Sequence, residues 1–165
     1  MRYPKIGAIE GRRTVMRILL IYTSIHHDNT KKIAQMMAKT VEAELFEANE
    51  KDNFCIEQYD LIGFGSGIYF GKHHKRLFQI IEHAPVMGKD VFVFSTSGTG
   101  KSKSNKHLIE LLSTKGANVK ADFSCKGYDT YSVFKLIGGI AKGHPNNKDI
   151  EDANDFIRRL VTQTV

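Results

Sequence analysis

Residues 17–41, RILLIYTSIHHDNTKKIAQMMAKTV, decide the fold. Ile18-Leu19-Leu20-Ile21-Tyr22 is an aliphatic run of strand length, suited to burial on both faces of a sheet. A polar loop follows, Thr23-Ser24-Ile25-His26-His27-Asp28-Asn29-Thr30, and from Ile33 the residues Ile33, Met36, Met37, Thr40 and Val41 recur at helical spacing. A buried strand feeding a hydroxyl-rich loop that opens a helix is a phosphate-binding arrangement. The first N–H groups of the helix have no intrahelical acceptor, and the helix dipole favours an anion beside them. Thr23, Ser24, Asn29 and Thr30, helped by His26 and His27, supply the donors. A plainer reading has Asp28 or Asn29 doing no more than capping the helix.

Downstream, the same alternation repeats. Glu44–Ala48 reads as a weak edge strand, and Leu61–Gly65 as a short buried strand ending in glycines. Val91–Phe94 is a third strong strand, and Val119–Cys125 a less hydrophobic last one. Between them, Leu77, Ile80 and Ile81 mark one helix face and Leu108, Leu111 and Leu112 another. Ala153, Phe156, Ile157, Leu160 and Val161 follow the helical rule in a final helix, after a long Gly- and Tyr-containing connection from Lys126 to Lys148. Strands alternating with helices imply an α/β domain with a doubly wound, five-stranded parallel sheet, for which 2-1-3-4-5 is the common strand order. Residues 1–15 carry little to bury and read as an N-terminal extension to a single domain over 16–165.

In that order the ligand crevice lies beyond the carboxyl ends of the strands. Three loops leave those ends: Thr23–Thr30, Ser66–Gly71 and Ser95–Lys101, all rich in Gly, Ser and Thr. The second carries Tyr69 and Phe70 between glycines, placed to stack on a planar ligand or, for Phe70, to pack back under the loop. The third offers small residues and backbone N–H groups. Neither the Gly-x4-Gly-Lys-Ser/Thr phosphate loop nor the Gly-x-Gly-x-x-Gly dinucleotide turn is present. A phosphorelay receiver is disfavoured as well, since Thr23-Ser24 and Gly65-Ser66 stand where it needs acids.

Composition narrows the class further. With 165 residues and 25% charged residues the chain is an ordinary globular domain, and no apolar run is long enough to cross a bilayer. Cys55 and Cys125 match no metal or redox spacing and read as reduced, mostly buried thiols, so a cytoplasmic location is expected. His26-His27 and His73-His74 lack a partner at ligand spacing, and no metal site is expected. A net charge of +6 points to an anionic ligand or acidic partner rather than to nucleic acid, because the lysines are scattered. Lys72-His73-His74-Lys75-Arg76 and Lys101-Ser102-Lys103 are local clusters, either a basic rim on one sheet edge or part of a generally solvated basic surface.

The chain resembles the flavodoxin family from about Met16 to the C-terminus. The resemblance is carried by Tyr22-Thr23-Ser24 with Asn29-Thr30, by Gly65-Ser66-Gly67-Ile68-Tyr69-Phe70-Gly71, and by Ser95-Thr96-Ser97-Gly98-Thr99-Gly100. The stretch Phe134–Pro145 is similar to the tail of small single-domain members. The resemblance implies non-covalently bound flavin mononucleotide (FMN) and electron transfer. Its phosphate would lie on Thr23, Ser24, His26, His27, Asn29 and Thr30. Its ring would lie between Ser66–Gly71 and Thr96–Gly100, with Tyr128, Tyr131 and Phe134 covering it or closing a separate small cluster. The redox partner would be a protein or a small-molecule acceptor, and the protein a monomer or weak homodimer. A flavin-dependent oxidoreductase acting on a quinone or a protoporphyrinogen-like substrate is the competing expectation. Asp28 stands where many members have Gly, so its carboxylate either opposes the phosphate or turns outward.

Overall fold

The computed structural model describes residues 15–48 and 55–164; apart from Val15, the expected N-terminal extension lies outside them. In chain order the elements are β1 (Ile18–Thr23), α1 (Asn29–Val41), β2 (Glu44–Glu47), β3 (Leu61–Tyr69), β4 (Lys72–His73), α2 (Lys75–His83), β5 (Asp90–Ser97), α3 (Lys106–Thr114), β6 (Asn118–Lys126) and α4 (Asn147–Thr164). Short 3-10 turns cover Ser102–Asn105 and Ser132–Ile137. The main sheet is parallel in the order β2-β1-β3-β5-β6, the 2-1-3-4-5 arrangement with one small strand, β4, added antiparallel to β3.

Alternation along the strands divides the core between the two faces. Leu19, Ile21, Ile62, Phe64, Val91 and Val93 pack with Leu77 and Ile81 of α2 and Leu108 and Leu112 of α3. Leu20, Tyr22, Phe92 and Phe94 pack on the other face with Ile33 and Met37 of α1 and Ala153, Ile157 and Leu160 of α4. Leu111 is only partly buried at the edge of the first cluster. Gly63 and Gly65 sit beside Phe92 and Phe94 in the ladder, and a Cβ there would lie 2.4 Å and 2.3 Å from those rings. The glycines of β3 therefore make room for aromatic rings and do not end the strand.

Three expectations are corrected. Ser66–Tyr69 is not loop: β3 runs on to Tyr69 and returns through β4, because Phe70-Gly71 forms a two-residue hairpin turn. Both turn residues have positive φ (50° and 77°), as the right-handed twist of a tight hairpin requires. Helix α1 begins at Asn29, so Asn29 and Thr30 form its first turn. Cys55 is exposed, with its thiol 2.9 Å from a Glu57 carboxylate oxygen, while Cys125 is buried.

Candidate functional site

At the carboxyl ends of β1, β3 and β5, two clefts meet. The first, about 30 Å³, is lined by Ser24, Ile25, His26, Asn29, Thr30, Gly67, Ile68, Tyr69, Thr96, Ser97, Gly127, Tyr128 and Asp129. The second, about 370 Å³, shares Ile68, Ser97 and Asp129 with it and continues past Phe70, Gly71, Gly98 and Thr99 to Tyr131, Val133, Phe134 and Ile140. The combined cleft is thus hydroxyl-rich at the α1 end and aromatic at the hairpin end.

The α1 end is built by side chains that tie separate loops together. Ser24 Oγ accepts from the N–H of Lys31 at 3.3 Å, filling the role of a helix cap, since Asp28 at the N-cap position makes no side-chain cap bond. The N–H groups of Asn29 and Thr30 precede it in the first turn and have no intrahelical acceptor. Thr30 Oγ1 lies 2.8 Å from Thr96 Oγ1, joining α1 to β5, and both residues are buried. Asn29 Nδ2 donates to the Tyr128 carbonyl at 2.8 Å, and a Cβ on Gly127 would stand 2.8 Å from that nitrogen. Asp28 adopts left-handed backbone (φ 52°), is exposed and does not line the cleft, so its carboxylate turns outward. His26 lines the cleft, whereas His27 turns to the 128–130 segment, with Nε2 2.8 Å from Thr130 Oγ1 and its ring 4.5 Å from that of Tyr128.

Aromatic rings dominate the hairpin end. Tyr131 meets Tyr69 and Phe70 edge-on at 5.5 Å and 5.3 Å, and His26 packs 5.9 Å from Tyr69. Tyr69 folds back over Gly67, where a Cβ would be 3.0 Å from its hydroxyl. Burial, and then the nearby Asp129 carboxylate, pushes the Tyr69 phenol up to about 12, so it stays a neutral donor.

Beneath the hairpin runs a buried polar chain. Asn105 Nδ2 faces the Asp122 carboxylate (2.8 Å) and the Phe123 carbonyl (3.3 Å), both obligate acceptors, so Asn105 Oδ1 faces His73 Nε2 at 3.0 Å. His73 must then carry its proton on Nε2 and leave Nδ1 as an acceptor 2.9 Å from Ser66 Oγ. Ser66 Oγ accepts in turn from the His74 N–H at 2.9 Å. Burial lowers the His73 pKa to about 4, which keeps the ring neutral. Ser66 therefore lines neither cleft but anchors β4 to β3. His74 has a different task, capping α2 by accepting the Arg76 N–H at 3.3 Å.

Of the remaining sequence-derived residues, Thr23 is buried with its hydroxyl 3.4 Å from the Ala48 carbonyl, and Gly100 donates its N–H to Ser97 Oγ at 2.9 Å. Neither lines the two clefts. Gly127, Asp129 and Ile140 line them without having been singled out in the sequence. They belong to the long connection, which closes on itself through paired Asp129–Ile140 backbone bonds of 3.0 Å and 2.8 Å. Among the described residues no group of three His, Cys, Asp or Glu side chains is placed to hold a metal ion, and no helix is long and apolar enough to span a membrane.

The model of the Flavodoxin domain family matches residues 19–142, which run from the second residue of β1 through β6 and include the lining of both clefts. The chain belongs to the flavodoxin family. An uncharacterized protein of Methanocaldococcus jannaschii is 45% identical over 148 residues, covering 88% of this chain and 99% of that protein. Among solved structures, a flavodoxin from the domain Archaea aligns with a TM-score of 0.66 at 13% identity, covering 89% of this chain and 98% of its own. A flavoprotein from Lactobacillus acidophilus, solved in complex with FMN, aligns with a TM-score of 0.56 at 21% identity, covering 65% of this chain and 91% of its own. These likenesses establish the flavodoxin-like fold.

Proposed function

We propose that this protein binds FMN in the two joined clefts and passes electrons between redox partners. One observation carries the reading: of two clefts that share Ile68, Ser97 and Asp129, one is lined by N–H and O–H donors and the other by aromatic rings. The donor set fits a phosphate. Ser24, Asn29, Thr30, Thr96 and Ser97 line the first cleft along with the helix N-terminus, and Asp129 is the one carboxylate there. That carboxylate is already engaged, accepting the Tyr131 N–H at 2.8 Å. The second cleft has the volume of a small-molecule site and the apolar lining a flavin ring needs. A neighbour of the same fold holding FMN supports the choice of nucleotide.

When bound, FMN supplies the redox chemistry, and the chain supplies binding and surroundings. Ser24 with the first turn of α1 would hold the phosphate. The Phe70-Gly71 turn, Ser97–Thr99 and Tyr131 would enclose the ring and limit water at its faces. The neutral Ser66–His73–Asn105 chain fixes the hairpin without placing a charge beneath the ring site, and Tyr69 remains protonated beside it. A protein of this kind works in the cytoplasm.

The direct test is the absorbance spectrum of the purified protein and the identity of what heat denaturation releases. Flavin bands and release of FMN are expected, with FMN affinity falling at least tenfold in Asn29→Ala/Thr30→Ala while circular dichroism is retained. A colourless protein that takes up no added FMN overturns the reading.

A further inference from the structure

Resting on the reading above, we infer that the mouth of the ring cleft is a docking surface for an acidic redox protein. It has an apolar centre supplied by Phe70, Val133, Leu136 and Ile137 and a rim of lysines that form no ion pair among the described residues.

The apolar centre is conspicuous in accessibility. Phe70 is 81% exposed, Val133 65%, Leu136 87% and Ile137 72%. Phe70 touches Tyr131, and Phe70, Tyr131 and Val133 line the ring cleft together; Leu136 and Ile137 follow Val133 in the same short 3-10 turn, so the patch adjoins the cleft. Scattered exposed apolar residues need no explanation, but several on two segments that line one cleft mark an interaction site.

The backbone at this edge is also held under local strain. Positive φ at non-glycine residues occurs at His27, Asp28, Phe70, Ser132 and Ala141, all in the connections beyond the strand ends; Glu42, at the C-cap of α1, is the other case among the described residues. A phenylalanine in the left-handed region, at the tip of a hairpin and largely in water, serves neither turn geometry nor core packing. Asn or Gly would suit the turn better. Exposing an aromatic ring at such a point is consistent with use as a contact.

Charge identifies the occupant. Elsewhere Arg17 pairs with Glu44, Lys31 with Glu47, Lys120 with Asp90, Lys106 with Glu110, Lys148 with Asp152 and Arg158 with Asp155, while Lys32, Lys39, Lys89, Lys115 and Arg159 are dispersed and form no ion pair among the described residues. On the segments that line the ring cleft, Lys72 next to Gly71, Lys101 and Lys103 beside Thr99 and Ser104, Lys135 next to Phe134 and Lys142 after Ile140 are exposed and form no ion pair among the described residues. Asp129 is the one carboxylate lining the ring cleft, so against five lysines the surroundings keep an excess of positive charge; an apolar centre within such a rim is the anatomy of a protein interface, and the excess selects a partner of negative surface. A second copy of this chain would present the same cations and be repelled.

Cytochrome b5, whose haem edge is acidic, and cytochrome c, whose haem edge is basic, serve as probes. Reduction of each by the photoreduced FMN-loaded protein is followed by stopped flow over increasing NaCl, and binding of cytochrome b5 to the protein as purified is measured by calorimetry. The second-order rate with cytochrome b5 should fall at least tenfold from about 20 mM to about 500 mM salt, whereas cytochrome c should show no such fall. Lys72→Glu/Lys101→Glu/Lys135→Glu should lower the low-salt rate and the affinity for cytochrome b5 at least tenfold, and Leu136→Asp severalfold, with the flavin spectrum unchanged. Equal preference for the two cytochromes, or rates and affinities indifferent to these substitutions, would overturn the inference. Loss of co-sedimentation with phosphatidylglycerol vesicles in Leu136→Asp, with cytochrome b5 binding intact, would overturn it in favour of a lipid surface. Failure to take up FMN would strike the functional reading alone, because the calorimetric comparison needs no flavin.

Discussion

The two ends of the cleft are stabilised in opposite ways. At the α1 end the pinning groups line the cleft itself: Ser24 on Lys31, Thr30 on Thr96 and Asn29 on Tyr128, with Asn29, Thr30 and Thr96 buried. At the hairpin end the pinning groups lie underneath, in the Ser66–His73–Asn105 chain, and the upper surface is left aromatic and open. An end that holds a fixed anionic group benefits from enclosure and preorganised donors. An end that must meet something outside the molecule needs exposed surface, and its support has to come from behind.

The largest effect expected to separate the two ends is acid. His73 has a folded-state pKa of about 4 against an ordinary 6.5, so between those values the unfolded chain binds more protons than the folded one. Stability therefore rises with pH through that window, is fully present above 6.5, and is lost as pH falls towards 4. The whole shift corresponds to roughly 3 kcal/mol. His74, lowered chiefly by burial and then by Lys75, contributes in the same direction. Urea denaturation between pH 7 and 4 should show this loss, and His73→Gln should flatten the profile. Amide exchange should rise first in β4 and the end of β3. If α1 loses protection before the hairpin does, the division of support between the ends is wrong.

A smaller effect probes the α1 end. Thr30→Val removes a hydroxyl from a buried pair and leaves Thr96 without that partner, at a cost of about 1–2 kcal/mol. Chemical denaturation measures the loss, and FMN affinity should drop with it, whereas the acid sensitivity of the hairpin should be unchanged. A variant of wild-type stability would mean that Thr96 finds another partner and the tie between α1 and β5 is dispensable.

How far the sequence revealed each end follows the same division. Both are announced by hydroxyl- and glycine-rich stretches after apolar runs; alternation of strands and helices implied the parallel sheet, and the common order for five such strands supplied its arrangement. What stayed hidden is long-range. Nothing local to Ser66, His73 or Asn105 shows that residues 7 and 32 positions apart share one buried chain. A signal for the hairpin was available: Phe70-Gly71 is a two-residue X-Gly turn between Ile68-Tyr69 and Lys72-His73, which the ladder pairs as Ile68–His73 and Tyr69–Lys72. Reading Gly63 and Gly65 as a strand end concealed it, although those glycines answer to Phe92 and Phe94 on the neighbouring strand. Gly127, Asp129 and Ile140 were illegible for another reason, since a long connection has no periodicity to show which residues fold inward.

The finest test concerns Phe70, where the hairpin end trades local stability for exposure. Its φ of 50° places a bulky side chain in the left-handed region, and its ring is 81% exposed, so little packing offsets the backbone strain. Asparagine tolerates that conformation and precedes Gly71 in the sequence pattern that tight hairpins favour. Phe70→Asn should therefore raise stability by about 1 kcal/mol, read as a higher urea midpoint with an unchanged slope. The same variant should weaken cytochrome b5 binding severalfold. A stabilised protein with impaired docking would show that Phe70 is retained for contact. A destabilised one would show that its edge-on packing against Tyr131 outweighs the strain, and that the hairpin end is more enclosed than its exposure suggests.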